Sequence, residues 1–391
     1  MTITKTRYPL AESSWDAQEV DAIKKLADLH QTTMGAKVFE FERAFAAYVG
    51  SRYAVMVNSG SSANLLMIAS LFYTNSPKLQ RGDEVIVPAV SWPTTYYPLY
   101  QYGLKLKFVD VSTETLNFDL DALEAAITPK TKAILAVNLL GNPNDFDRLQ
   151  ALIQDKNIIL LEDNCESLGA TFKGKQAGTF GLMGTFSGFF SHHISTMEGG
   201  VIVTDDEHLR DILVCLRSHG WTRHLGDDNT LCQKSAQTFE EAFRFILPGY
   251  NVRPLEMSGA TGLTQLQKLP EFLKIRRANA RYFQERFQDH PDLRIQQEIG
   301  QSSWFGFALM IRPESTLKRS ELVQKLEAHQ IDCRPIVAGN FVKNKVLSYF
   351  DYEISGDLRQ ADYIDQQGFF VGNHQFDIKD KIDYLVQVLN A

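Results

Sequence analysis

Short runs of apolar, largely β-branched residues punctuate the first part of the chain: Tyr53–Val57, Glu84–Val87, Lys107–Val109, Ala133–Val137 and Ile158–Leu161. Amphipathic stretches such as Leu120–Ile127 separate several of them. Buried strands linked by helical crossovers predict an α/β fold with a largely parallel sheet covered on both faces. Ligands on such a sheet gather at the carboxyl ends of its strands. The pattern changes near Pro248-Gly249-Tyr250. A long helix is predicted from Pro254 to Asp289, carrying Arg276, Arg277 and Arg281. A strand-like run at Trp304–Ile311, a helix at Ser320–His329 and an apolar segment at Ile331–Val337 follow. The expected organisation is an N-terminal segment (1–30), a large α/β domain (31–255) and a smaller α+β domain (256–391).

Composition narrows the function classes. The 391 residues are 44% hydrophobic and 22% charged, ordinary for a globular protein. A formal charge of −7 argues against a nucleic-acid binder, which presents a basic face, but leaves room for an anionic small molecule in a locally positive pocket. No apolar stretch reaches the roughly 18 residues of a membrane span. Met1–Leu10 lacks the apolar core of a signal peptide, so the cytoplasm is the expected compartment. Cys165, Cys215, Cys232 and Cys333 are scattered without a CxxC pair, which fits free thiols and suggests neither a zinc nor an iron–sulfur site.

Three segments carry chemistry. Ser59-Gly60-Ser61-Ser62-Ala63-Asn64 directly follows a predicted strand. Small residues at a strand-to-helix junction leave backbone N–H groups open to an anion, although alone the segment also reads as an ordinary N-cap. Ile159-Leu160-Leu161-Glu162-Asp163 is an apolar strand ending in two acids. Asp163 there can pair with a pyridinium nitrogen, or simply cap a helix. Thr185–His193 ends in adjacent histidines, with Met197-Glu198-Gly199-Gly200 just beyond. No familiar zinc spacing surrounds the pair, so a general base is the more attractive role for an imidazole. His193 is expected to face away from His192 if the segment is extended.

Taken in order, these segments resemble the DegT/DnrJ/EryC1/StrS sugar aminotransferase family over nearly the whole chain. The likeness rests on SGSSAN, PAVSWPTT, LLEDNCESLGA, GKQAGTFG, EGGVIVTDD and GYNVRPLEMSGATGLTQL. It implies a fold-type I, aspartate aminotransferase-like architecture and pyridoxal 5'-phosphate or pyridoxamine 5'-phosphate as cofactor. In that family a lysine six residues before Glu-Gly-Gly forms the Schiff base; counting back from Glu198 gives His192. Imidazole cannot form an imine, so ordinary transamination is put in question. The same exchange marks the family's sugar 3-dehydratases, which make 3,6-dideoxyhexoses. SHHISTMEGG, AVSWPTTYYPL, LPGYNVRPLEMSGA, SSWFGF and CRPIVAGNF resemble the branch that acts on GDP-4-keto-6-deoxy-D-mannose in colitose and O-antigen formation. A related CDP-hexose branch uses an iron–sulfur cluster, but its cysteine cluster is missing after the histidine segment here, and Cys215 and Cys232 cannot supply four ligands.

The resemblance also implies roles for individual residues. His192 is the base, with His219 a second pocket candidate that assists the leaving hydroxyl or orients substrate. Gly60, Ser61 and Ser187 bind the cofactor phosphate, and Asn251 reaches it across a homodimer interface. Trp92 stacks on the ring or is plain core filling. Asp163 supports the ring nitrogen, and Glu166 stands where relatives often carry glutamine. Arg223, Arg253 and Arg334 meet the substrate diphosphate or the L-glutamate carboxylate, or are merely solvated. The rival readings are a dehydratase or 4-aminotransferase on another nucleotide hexose, and a non-catalytic paralogue.

Overall fold

The computed structural model describes residues 6–390; Met1–Lys5 of the expected N-terminal segment, and Ala391, lie outside it. The strands of the first part are β1 (Tyr53–Val57), β2 (Glu84–Pro88), β3 (Lys105–Val109), β4 (Thr131–Val137), β5 (Ile159–Asp163), β6 (Thr171–Phe172), β7 (Lys175–Gln176), β8 (Met183–Ser187) and β9 (Gly200–Thr204). Five of these coincide with the apolar runs of the sequence. The later part adds β10 (Leu293–Ile295), β11 (Gly306–Ile311), β12 (Cys333–Arg334), β13 (Tyr352–Ile354) and β14 (Gly368–Gly372). An eight-stranded sheet has the order β1-β9-β8-β5-β4-β2-β3-β13, and a four-stranded sheet the order β10-β11-β14-β12. In the large sheet the pairings of β2, β3, β4, β5, β8 and β13 are parallel, whereas β9 runs antiparallel to both neighbours.

Alternate residues of these strands enter cores on opposite faces, which is why the runs are apolar throughout. Val55, Val85, Leu106, Leu135 and Leu161 pack on one side, while Ile86, Val109, Ile134 and Leu160 pack on the other. The first face is covered by α3 (Gly60–Ser70), α4 (Pro93–Gln101) and α7 (Glu207–Leu216), following α1 (Ala17–Asp28) and α2 (Ala36–Val49) in the chain. The second face carries α5 (Leu120–Ala126) and α6 (Phe146–Ile153) and, toward β1 and β9, α2. A short α8 (Thr238–Glu241) precedes α9 (Glu256–Phe287), whose Leu266, Leu269 and Leu273 pack with Phe41 and Phe45 of α2. The small sheet is backed by Phe283 and Phe287 of α9, by α10 (Arg319–Ala328) and by α12 (Lys379–Asn390), with α11 (Arg359–Gln367) against the large core.

Two contacts cross the expected division of the chain. Tyr8 lies in the core of the small sheet and donates its hydroxyl to the Gly372 carbonyl at 2.7 Å. β13, although from the C-terminal part, pairs with β3. The strand expected at Trp304–Ile311 starts only at Gly306, because Trp304 adopts φ 49°, outside the β region. Within the apolar Ile331–Val337 only Cys333 and Arg334 pair as strand, and Val337 turns at φ 42°. Among the described residues no helix is long and apolar enough to cross a membrane.

One buried acid ties the long helix to the large domain. Glu256, in the first turn of α9, accepts from the backbone N–H groups of Gly35 and Lys37, both at 2.6 Å, and of Val38 at 3.3 Å. These are donors at the start of α2 that no helical carbonyl can meet. Glu256→Ala leaves the buried Val38 amide without a partner and the part-buried Gly35 and Lys37 amides to water, and is expected to cost on the order of 2 kcal/mol, read as a lowered urea midpoint at unchanged slope.

Candidate active site

Because β1, β4, β5 and β8 point the same way, their carboxyl ends and the loops beyond them meet at one edge of the sheet. Asp163 is the last residue of β5 and is buried. Its Oδ2 accepts from Asn64 Nδ2 at 2.8 Å and Thr95 Oγ1 at 2.7 Å, and its Oδ1 from the Cys165 amide at 3.2 Å. The orientation of Asn64 is set from behind, since Thr185 Oγ1 donates to its Oδ1 at 2.6 Å and leaves only the NH2 to face the acid. Side chains from α3 and α4, the first held by β8, therefore aim this carboxylate.

At the start of α3, Ser59 caps the helix through the Ser62 amide at 3.0 Å, leaving the amides of Gly60 and Ser61 as free first-turn donors. A side-chain carbon on Gly60 would lie 2.8 Å from Ser187 Cβ and 3.0 Å from Cys165 Sγ, so only glycine lets the helix start approach the ends of β5 and β8 this closely. Gly200 plays the same part beneath, where a Cβ would stand 2.2 Å from the Ser59 carbonyl. The exposed Ser61 hydroxyl donates to Thr94 at 3.2 Å, next to Trp92, which is the N-cap of α4 and 56% exposed.

Glu166 accepts from the Leu140 amide at 3.0 Å, in a turn where Leu140 adopts φ 52°. Burial pushes its carboxyl up to about 7; the Leu140 hydrogen bond opposes this and the Asp163 charge adds to it, so the group titrates near neutral pH.

His192 lies in a turn rather than in an extended strand. Its ring stands edgewise on Phe305 at 5.1 Å between centroids, and its Nδ1 is buried without a hydrogen-bond partner. Burial, joined by the Arg276 charge, draws its pKa down to about 4, so the imidazole is neutral and able to accept a proton. His193 does not face the opposite way, as an extended segment would require. The turn brings both rings against Phe305, with His193 buried and its Nε2 3.1 Å from the Ser303 carbonyl.

A second group of candidates collects around Trp221. His219, at φ 60°, packs edgewise on that indole at 5.2 Å, and the guanidinium groups of Arg223 and Arg253 lie 4.8 and 6.0 Å from its ring centroid. Asn251 is exposed and accepts from Arg253 Nε at 3.1 Å. The two groups are joined at the backbone, where the Asn58 amide donates to the Val252 carbonyl at 3.0 Å beside the Ser59–Gly60 turn. Arg334 is exposed on β12 opposite Phe370 and joins neither group.

Sequence reasoning missed Asn64, Thr95, Leu140 and Phe305, which act through three-dimensional neighbours. Arg276 read as one more charge on a helix, yet it is buried.

Free amides and hydroxyls around Gly60, a carboxylate at Asp163 and an unpartnered neutral imidazole form a site for a phosphorylated pyridine. Lys173 and Lys175 are engaged elsewhere, with Asp147 and the Phe180 ring.

A sequence model described as the DegT/DnrJ/EryC1/StrS aminotransferase family matches residues 13–389. A GDP-4-keto-6-deoxy-D-mannose 3-dehydratase of Yersinia pseudotuberculosis is 61% identical over 384 residues, 98% of each chain. The solved structure of the E. coli GDP-4-keto-6-deoxy-D-mannose-3-dehydratase with bound hydrated PLP superposes with a TM-score of 0.97 at 59% identity, covering 98% of this chain and 99% of that one. Another solved GDP-4-keto-6-deoxymannose-3-dehydratase, with a trapped PLP-glutamate geminal diamine, matches with the same TM-score of 0.97 and 59% identity, over 98% of this chain and all of the other.

Gly60→Ala is expected to weaken pyridoxal phosphate binding at least about tenfold, because the added carbon must push α3 away from Ser187; an absorbance titration measures it.

Proposed function

The chain belongs to the DegT/DnrJ/EryC1/StrS aminotransferase family, and from that premise we propose that it is a sugar 3-dehydratase dependent on pyridoxal and pyridoxamine phosphate, acting on GDP-4-keto-6-deoxy-D-mannose. The observation that carries this reading is His192, a neutral imidazole where the family's lysine stands, in a site whose anion cradle and Asp163 network are otherwise intact. The product is GDP-4-keto-3,6-dideoxy-D-mannose, an intermediate of colitose-type sugars. L-Glutamate is the second substrate and leaves as 2-oxoglutarate, with ammonia as the other product. Atoms balance: the sugar loses one oxygen, and glutamate supplies the two electrons.

Gly60, Ser61 and Ser187 would hold the cofactor phosphate. Asp163 would meet the ring nitrogen, since its Oδ1 accepts only the Cys165 amide and retains a lone pair. Trp92 would cover the ring face, and Glu166 would serve the ring hydroxyl. The bound pyridoxamine form supplies a primary amine for the sugar's C4 ketone and a ring that takes up electron density. His192, with its Nδ1 unpartnered, would accept on a ring nitrogen the proton that the cofactor's carbon 4′ gives up. The negative charge of phosphate and diphosphate raises its proton affinity from the low value set by burial. His219 orients the C3 hydroxyl as it departs, and Arg223 and Arg253 meet the diphosphate. A lysine in place of His192 would capture the aldehyde form of the cofactor; imidazole leaves it free.

The enzyme works as a homodimer in the cytoplasm. Phe239, Phe243, Phe245 and Leu255, at 91, 67, 53 and 53% exposure, flank the segment carrying Asn251 and leave an apolar surface for a second copy, through which Asn251 reaches the partner's phosphate site.

Incubation of the protein with GDP-4-keto-6-deoxy-D-mannose, L-glutamate and pyridoxal phosphate should yield a sugar lighter by one oxygen in mass spectra. A retained amino group would point to a 4-aminotransferase instead. His192→Asn should abolish this product while binding cofactor within about threefold of the parent. Borohydride should leave the protein free of covalent pyridoxyl groups, and a stable lysine adduct would overturn the non-covalent arrangement.

A further inference from the structure

Arg276 is buried on α9, and its Nη1 contacts three backbone carbonyls: Asn373 at 2.9 Å, Phe305 at 3.3 Å and Trp304 at 3.4 Å. No carboxylate among the described residues pairs with it, and its Nε has no partner. A guanidinium buried without a counter-charge is costly and calls for a reason. The carbonyls belong to the segments entering β11 and leaving β14, and the same stretch forms the rest for the catalytic turn. Phe305 supports the ring of His192, and the Ser303 carbonyl meets His193. Trp304 is held at φ 49°, a conformation the side chain does not favour by itself. Asn373 Nδ2 completes the clamp by returning to the Arg276 and Trp304 carbonyls at 3.2 and 2.9 Å.

We propose that Arg276 is a positioning residue for His192, clamping the Ser303–Phe305 segment on which the imidazole rests and placing an uncompensated positive charge beside it. This rests on the role given to His192 above. Burial lowers the guanidinium to about 10, still charged at neutral pH, and that charge adds to burial in disfavouring protonation of His192, His193 and His374. The other titratable groups that face the turn are His193 on the turn itself and Arg277 beside Arg276 on α9. Arg276, rather than any of these, is the group whose charge acts on His192. A cationic imidazole has no lone pair for a proton, so the charge extends the range of pH over which His192 serves as a base.

The test is Arg276→Gln, which removes the charge but keeps an N–H donor for the carbonyls, set beside Arg276→Lys, which keeps both. In the holoenzyme labelled at histidine, the His192 resonance (assigned by its loss in His192→Asn) should titrate at least about half a pH unit higher in Arg276→Gln than in the parent. The acid limb of kcat should move up by the same amount, with KM for the sugar within about twofold. Arg276→Lys should leave the titration within about 0.3 units and retain most of kcat. An unmoved His192 titration in Arg276→Gln would falsify the proposal. If that variant does not fold, an Arg276→Lys titration displaced by about half a pH unit or more despite the retained charge sinks it equally. Should His192→Asn remain active, the base role falls, whereas the titration shift still reports on Arg276 alone.

Discussion

The Asp163 carboxylate is the fixed point around which the site is arranged. It sits buried at the end of β5, aimed by Asn64 from the helix after β1 and Thr95 from the helix after β2, while Thr185 from β8 orients Asn64. Hydrogen bonds to a charged group contribute about 1.5–3 kcal/mol each, which makes this a rigid anchor rather than an adjustable one. The arrangement exists because parallel strands deliver their carboxyl ends to one edge. The phosphate cradle at Gly60 depends on the same convergence, since its close approach to Ser187 and Cys165 brings α3 against the ends of β5 and β8.

Against that anchor the chemistry turns on what stands at position 192. A lysine there would bond covalently to an aldehyde; a histidine only moves protons. For the exchange to make a working base, the imidazole has to remain unprotonated and in place. Burial and the Arg276 charge meet the first requirement, and the packing of Phe305 meets the second. Phe305 reaches the turn from the residue before β11 and Arg276 from α9, so the C-terminal part of the chain surrounds the proposed base. The cluster around Trp221 is joined to the Ser59–Gly60 turn by the Asn58–Val252 backbone hydrogen bond.

Much of this was legible in the chain. Doubly buried strands must be apolar at every position, so their runs announced five strands and a parallel sheet before any coordinate was known. The order of SGSSAN, LLEDNCESLGA and SHHISTMEGG gave the family, and the count back from Glu198 found His192. Less visible were the breaks. Nothing in the composition of Trp304-Phe305 announced a left-handed residue just before β11, and the extended path expected for the two histidines gave way to a turn because both rings find their packing on Phe305.

The sequence by itself determined the layers, the approximate elements and the residue types at the chemical positions, because periodicity and local motifs are properties of neighbours along the chain. Tertiary structure alone decided the rest: that a helix arginine is buried against three carbonyls, that Asn64 serves Asp163, and that Tyr8 and β13 lie across the apparent domain division. The physical reason is the same in each case. A charge or an amide acquires its role from whatever the fold leaves it to bond with, and those partners lie 28 to 364 residues away.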